Sequence, residues 1–295
     1  MPVWQPESAD EYVLGRVPVV FASGAAVAVS GMRWFRDAQR RDIQDELPGW
    51  PPGPLFTRKE GAERHGRGAL RVAGRAVGAL VMAALTGGGG AGGVSVPGRP
   101  EDPPNETEDF PVLWGDHGST ARTLPWQLDI SRRPRNYRTH LTVTNRRLLI
   151  TGFPHADEIH DEVLWQVDRD EVSSVRRKDF SAFVGDDYRA TRCDMQIAFA
   201  DESWCRLASN FRDEICEYLV DGAKPVPLNS LSVDQRARVE EFRARHAGEG
   251  SALVTLRDDG IYRVDVRDPA KTDAFSGMFV ASDFMDRTGG DPDDS

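Results

Sequence analysis

The chain has 295 residues, enough for one or two domains with a hydrophobic core. Its formal net charge of -10 and pI near 5.2 argue against general nucleic-acid binding, which leaves a basic footprint on a protein. The three cysteines, Cys193, Cys205 and Cys216, have no CxxC spacing, so neither a disulfide framework nor a structural zinc site is expected. Residues 7–11 are acidic where a secretory signal would be basic, which predicts a cytoplasmic protein.

Residues 1–85 predict an N-terminal helical segment. The uncharged run "VPVVFASGAAVAVSGM" is shorter than the roughly 20 residues of a membrane-spanning helix, and the charged piece "RWFRDAQRRDIQDEL" follows it. From Lys59 to Leu85 the pattern is helical, with a basic stripe of Arg64, Arg67, Arg71 and Arg75. Such a stripe suits a helix lying on an anionic membrane surface. Packing against the N-terminal segment or another copy of the chain is the alternative.

Residues 86–107 predict a linker, because this stretch is too rich in Gly and Pro to pack. Its "TGGGGAGG" run does not have the features of a phosphate-binding loop. No Gly-Lys-Ser/Thr follows it, and it trails a predicted helix instead of leading from a strand into one.

Beyond the linker the pattern changes to strands. Residues 108–222 contain six or seven short segments rich in β-branched and aromatic residues, several of them alternating with period two, followed by an amphipathic helix. Residues 223–284 predict a further helix, with a capping box at Ser232 and Gln235, and a β-hairpin. Residues 285–295 predict a disordered acidic tail.

Four stretches of the strand-rich part resemble segments of bacterial PH-like and GRAM-like domains: "LTVTNRRLLITG", "VLWQVDRDEVSSV", "IAFADESWCRLAS" and "FRDEICEYLVDG". The resemblance covers about residues 110–222, with Glu202 standing where the third stretch usually carries glycine. It implies an α+β fold: a PH-like curled antiparallel sheet closed by a C-terminal helix, with the N-terminal helical segment added to it. It also implies binding rather than catalysis, although fold alone does not assign function.

A basic group around the first predicted hairpin is the main candidate site, because guanidinium groups fit phosphate oxygens. In PH-like domains that bind phosphoinositides, such residues lie near the loop between the first two strands. The alternative is a structural role at a solvated sheet edge. The candidate anion-binding or lipid-binding residues are Arg132, Arg133, Arg135, Arg138, Arg146, Arg147, Arg176, Arg177 and Lys178.

No motif of a catalytic or metal site stands out. The stretch "HADEIHDE" from His155 to Glu162 has metal-ligand residue types, but no second cluster completes a coordination sphere. There is no GxSxG, no HExxH and no cysteine with an evident base. We therefore predict no catalytic residues, no metal and no cofactor.

The sequence thus predicts a non-enzymatic cytoplasmic binding or adaptor protein. Its expected partner is a protein, with an anionic lipid surface at the inner face of the membrane as the other candidate, and no nucleic acid. One alternative is a hydrolase or transferase that uses the "HADEIHDE" loop. Another is a membrane anchor formed by the uncharged Gly/Ala runs.

Overall fold

A computed structural model describes residues 4–8, 10–22, 33–57, 111–154, 161–179, 193–220, 223–246, 251–267 and 281–292. In this part of the chain the helices are α1 (Arg212–Leu219) and α2 (Val233–His246). The strands are β1 (Val13–Pro18), β2 (Val20–Phe21), β3 (Trp34–Arg36), β4 (Pro111–Trp114), β5 (Tyr137–Thr144), β6 (Arg147–Pro154), β7 (Glu162–Asp168), β8 (Val172–Arg177), β9 (Asp194–Phe199), β10 (Trp204–Ala208), β11 (Lys224–Pro225), β12 (Ser251–Leu256), β13 (Tyr262–Arg267) and β14 (Ala281–Met285).

The strands form three sheets. The first sheet has the order β1-β5-β6-β7, and the third has the order β11-β12-β13-β14; both are antiparallel. The second sheet has the order β3-β4-β10-β9-β8, with β2 also paired to β10. Its β3–β4 pair is parallel. A 3-10 turn at Arg169–Glu171 carries the chain from β7, at the edge of the first sheet, to β8, at the edge of the second.

The first two sheets share one core. Alternate residues of β5, such as Leu141 and Val143, point inward and meet Ile197 and Leu207 of the second sheet in the same buried cluster. Helix α1 adds Ile215 to this core and contacts β1 and β8. Burial of large apolar side chains from both sheets is what holds them together.

The third sheet has a core of its own with α2. Val239 and Phe242, three positions apart on α2, pack against Val254 and Val264. The predicted capping box begins this helix, because Ser232 Oγ accepts from the Gln235 N–H (3.1 Å) while Gln235 Oε1 accepts from the Ser232 N–H (3.0 Å).

The predicted fold class is wrong. The described chain is mostly β-sheet with two α-helices, and it does not form a PH-like curled sheet closed by a C-terminal helix. The N-terminal segment, predicted to be helical, contributes β1, β2 and β3 to the first two sheets. The stretch "RWFRDAQRRDIQDEL" is a strand at Trp34–Arg36 followed by turns, because pairing with β4 and burial of Trp34 and Phe35 override local helix propensity.

Several predicted segments lie outside the described residues. They are the helix at 59–85 with Arg64, Arg67, Arg71 and Arg75, the linker at 86–107, and residues 155–160 of the "HADEIHDE" loop. Residues 286–292, assigned from sequence to the acidic tail, form a turn in which Asp286 accepts from the N–H groups of Thr288 (2.7 Å) and Gly290 (2.9 Å). In the part of the chain described, no helix is long and apolar enough to cross a bilayer.

Candidate functional site

Arg132 belongs to a buried ion cluster. It pairs with Asp129, which is fully buried and also pairs with Arg33. The guanidinium of Arg132 lies 5.3 Å from the ring centroid of Trp50 and donates a hydrogen bond to the carbonyl of Pro54 (3.0 Å). Arg132 therefore ties the loop before β5 to the segment 33–57, and its side chain is only 4% exposed.

The neighbouring arginines before and at the start of β5 divide between buried and exposed positions. Arg133 donates to Thr139 Oγ1 (2.9 Å), and burial, followed by the nearby charge of Arg138, lowers the pKa of Arg133 to about 10. Burial also lowers the pKa of the half-buried Arg138. Arg135 is exposed. Burial disfavours the charged form of a guanidinium, which is why the pKa falls at both Arg133 and Arg138.

Arg146 and Arg147 lie at the other end of the β5–β6 hairpin. Arg146 pairs with Asp10, and Arg147 donates to both carboxylate oxygens of Glu11 (2.8 and 2.9 Å). Six residue steps of strand separate Arg138 from the end of β5, a distance of about 20 Å. The structure therefore does not bring the two arginine groups of the sequence together.

The third basic group, at the end of β8, is also engaged within the chain. Arg177 pairs with Asp213 at the start of α1 (2.9 Å), and Arg176 donates to Gln196 Oε1 on β9 (3.4 Å). Lys178 is half-buried, and its backbone N–H donates to the carbonyl of Asp194 (3.2 Å). These contacts join β8 to the strand and helix beside it.

A cavity of about 460 Å³ lies along β7. Four of its lining residues are consecutive in that strand, and the others come from the N-terminal segment and from β6. The lining residues are Trp4, Glu7, Arg147, Val163, Leu164, Trp165 and Gln166. The cavity therefore follows β7 from Val163 to Gln166, and Arg147 of the neighbouring β6 places part of it over the face that the two strands share.

In the described part of the chain, β7 is the last strand of the first sheet. Among the described residues, β7 pairs with β6 only. The N–H of Arg169 donates to the carbonyl of Arg146 (2.8 Å). In an antiparallel pair every second residue bonds to the neighbouring strand, so the next residue of β7 that bonds to β6 is Val167. The N–H groups of Gln166 and Asp168 therefore point away from β6, at the outer edge of β7.

Charged contacts fix the side chains on the face that β6 and β7 share beside this edge. Glu11 holds Arg147, which also donates to Gln166 Oε1 (2.6 Å), and the Arg147 guanidinium lies 5.4 Å from the ring centroid of Trp4. The N–H of Trp4 donates to Asp161 Oδ2 (2.7 Å). The hydrogen bonds from Arg147 lower the pKa of Glu11 and raise that of Arg147, so both groups are charged.

Sequence reasoning identified Arg147 but missed Trp4, Glu7 and the β7 side chains as site residues. The sequence predicted a strand at β7. Its mixture of exposed and half-buried residues identifies it as an edge strand only when the neighbouring strands are known. Nothing local identifies Trp4, because its place beside β7 depends on a contact with Asp161, 157 positions away.

The described residues offer little for covalent or metal chemistry. Burial raises the pKa values of the Cys193 and Cys205 thiols, which disfavours the reactive thiolate. Within the described ranges, no three His, Cys, Asp or Glu side chains come together as metal ligands. Asp161, from the "HADEIHDE" stretch, accepts two hydrogen bonds from Arg16 (2.6 and 2.8 Å).

Comparison with known proteins gives no relative from which to assign a role. No protein-family model matches the chain, and no curated protein or solved structure matches it either. The resemblance to PH-like and GRAM-like domains therefore stays a prediction from sequence, while the fold predicted from it is wrong.

Proposed function

We propose that this chain is a non-enzymatic binding protein that takes an extended segment of a protein partner along the outer edge of β7. The observation that carries the proposal is the cavity lined by four consecutive residues of an edge strand. An added strand pairs through main-chain hydrogen bonds, and its alternate side chains reach pockets beside the edge. In this way a protein can act as an adaptor without a catalytic site.

The β7 edge offers both kinds of interaction. The outward N–H groups of Gln166 and Asp168 supply donors, each net hydrogen bond contributing about 1 kcal/mol. Val163 is 39% exposed, and the half-buried Trp4 and Trp165 add apolar surface. The register shift between Ile150 and Thr151 leaves Leu164 as an extra, bulged residue of β7 itself, so the stretch from Trp165 to Asp168 is the regular pairing surface.

A protein partner is favoured over an anionic membrane surface by the state of the basic residues. Arg132, Arg146, Arg147 and Arg177 are each paired with an acid of the same chain. Binding of lipid phosphates there would have to displace those carboxylates. We place the protein in the cytoplasm, which agrees with three cysteines that are buried thiols.

The test removes one outward donor while leaving the β6 pairing in place. Peptides are first selected on the full chain from an unbiased twelve-residue display library, and their affinities are then measured by fluorescence anisotropy. Gln166→Pro deletes the outward N–H, and proline is tolerated on an edge strand where its nitrogen faces solvent. The matched control, Gln166→Ala, removes the same side-chain contact with Arg147 but keeps the N–H.

We expect Gln166→Pro to weaken binding about tenfold relative to Gln166→Ala, which corresponds to the loss of one main-chain hydrogen bond. Circular dichroism and thermal unfolding are used to check that both variants fold. Equal affinity of the two folded variants for every selected peptide would contradict strand addition at β7. Failure to select any peptide on the folded full chain would count against the proposal as well.

A further inference from the structure

Arg133, in the loop before β5, is a half-buried cation that pairs with no acid of the described chain. Its Nη1 donates to Thr139 Oγ1 (2.9 Å) and to the carbonyl of Gln127 (3.5 Å), both of them neutral acceptors. Among the described residues, nothing accepts from Nε or Nη2, which together form one bidentate edge of the guanidinium. Because a charge withdrawn from water needs a compensating partner, this open edge calls for an anion.

The charges closest to Arg133 are mainly positive. Arg33 and Arg132 share the buried carboxylate of Asp129. Burial, and then the charges of Arg138 and Arg33, lower the pKa of Arg133 to about 10. Asp129 opposes this effect without outweighing it. An anion at the open edge of Arg133 would relieve the excess of positive charge.

The hydroxyl of Tyr137 is a second polar group that lacks a partner. Its oxygen is buried, and in the described chain it forms no hydrogen bond. Tyr137 and Thr139 are two positions apart on β5, so their side chains lie on one face of the sheet. The hydroxyl lies against Gly152, directly opposite Thr139, where a side chain would collide with it. Arg133, bonded to Thr139, therefore meets the Tyr137 hydroxyl beside the Thr139–Gly152 pair.

Tyr137 is suited to donate a hydrogen bond to an anion. Burial, followed by the charge of Glu162, raises the pKa of Tyr137 to about 12, so the hydroxyl keeps its proton at neutral pH. Glu162 lies opposite Gly152 on β7 and is exposed, so water and salt screen its charge. It forms no ion pair with Arg133 among the described contacts.

We propose that Arg133 and Tyr137 bind a small oxyanion, a phosphate or a carboxylate, at the start of β5. Two oxygens of the anion accept from the Nε–Nη2 edge of Arg133, and one oxygen accepts from the Tyr137 hydroxyl. The neighbouring Arg132 is instead held by Asp129 and the Pro54 carbonyl. This site is independent of strand addition at β7.

The experiment titrates the full chain with sodium phosphate and, separately, with sodium acetate, at an ionic strength kept constant with chloride. Dissociation constants are measured by NMR chemical-shift changes, and we expect saturable binding of at least one of the two anions. Arg133→Gln should weaken that binding at least about tenfold. Arg133→Lys keeps the charge but loses the bidentate edge, and it should weaken binding as well. The control, Arg135→Gln, removes an exposed charge two positions away and should change the affinity less than about twofold.

Tyr137→Phe separates anion binding from a purely structural role. In chloride this variant should unfold at the wild-type temperature, because its hydroxyl has no partner to lose. With the bound anion it should be less stable than the wild type, and its affinity for that anion should be about three- to tenfold lower.

Circular dichroism checks that each variant folds, and Arg133→Lys gives the comparison if Arg133→Gln does not. The proposal is overturned if neither anion binds the folded wild type saturably. It is also overturned if Arg135→Gln weakens binding as much as the folded Arg133 variants, because the attraction is then unspecific. Equal destabilisation of Tyr137→Phe with and without the anion would contradict the role of its hydroxyl as a ligand.

Discussion

Asp194 is a buried acid beside another acid. It begins β9, and its backbone N–H donates to Asp179 Oδ1 (3.2 Å), which also accepts from Arg212 (2.9 Å). Burial, and then the charge of Asp179, raises the pKa of Asp194 to about 7, against opposing effects of Cys193, Arg206 and Arg212. In the folded protein this carboxyl therefore changes charge near neutral pH.

The first prediction concerns Asp194→Asn and the pH dependence of stability. A carboxyl with a raised folded-state pKa holds its proton more tightly than in the unfolded chain, so its contribution to stability is complete at low pH and is lost as pH rises toward 7. We expect the free energy of unfolding of the wild type to include a decrease of about 2 kcal/mol between pH 5 and pH 7 from this group. Asn cannot titrate, so the variant should lack that decrease.

Urea unfolding at pH 5, 6, 7 and 8 measures the difference between the two proteins. The exposed Asp258→Asn serves as the control and should keep the wild-type pH profile. The account of Asp194 is wrong if the Asp194→Asn and wild-type profiles run parallel from pH 5 to pH 8.

At the scale of elements, α1 lies between the shared core and the third sheet. Its Ile215 packs in the core of the first two sheets, while the Tyr218 hydroxyl donates to Asp265 Oδ2 on β13 (2.7 Å). Asp265 is fully buried and also accepts from Arg263 Nε (2.8 Å), and Arg263 pairs with Glu217 of α1. The third sheet is thus attached to the rest of the molecule through a buried polar network.

Tyr218→Phe tests this attachment, because it removes one donor to a buried carboxylate and keeps the ring. We expect a loss of about 1–3 kcal/mol in the free energy of unfolding, the cost of leaving a buried charged acceptor short of a partner. Every tryptophan of the chain precedes the third sheet, so hydrogen exchange is the appropriate local probe. The amides of β12 to β14 should exchange faster in the variant.

Exposed Tyr12→Phe is the matched control and should change neither the stability nor the exchange. Wild-type stability together with unchanged exchange of the third sheet in Tyr218→Phe would show that the network does not hold that sheet in place.

Local features of the elements could be predicted from the sequence, but their assembly could not. The β5–β6 hairpin, the turn before Gly260 and the Ser232–Gln235 capping box depend on residues a few positions apart, and the structure contains all three. Glu202 replaces the expected glycine yet takes a left-handed φ of 67°, so the hairpin forms in spite of it. The strand at Trp34–Arg36 depends on β4, which lies more than 70 positions later, and no local pattern reveals it.

At the scale of the whole molecule, ion pairs between distant residues explain the basic cluster of the sequence. Asp10 and Glu11 hold Arg146 and Arg147, while Asp129 holds Arg33. Arg132, Arg146 and Arg147 therefore help to attach the N-terminal segment to the rest of the molecule. Arg146 and Arg147 pair with acids 136 positions away, and Asp129, which pairs with Arg132, also pairs with Arg33, 96 positions away, so no local pattern shows these contacts.

A partner segment that adds to β7 as a strand should protect the outward amides of that strand. Amide hydrogen exchange of the bound complex measures this protection. The N–H groups of Gln166 and Asp168 point away from β6, so they should exchange quickly in the protein alone and become protected when a selected peptide binds. The amide of Val167, already bonded to β6, should change little. Saturating peptide that leaves Gln166 and Asp168 exchanging at their unbound rates would contradict the account.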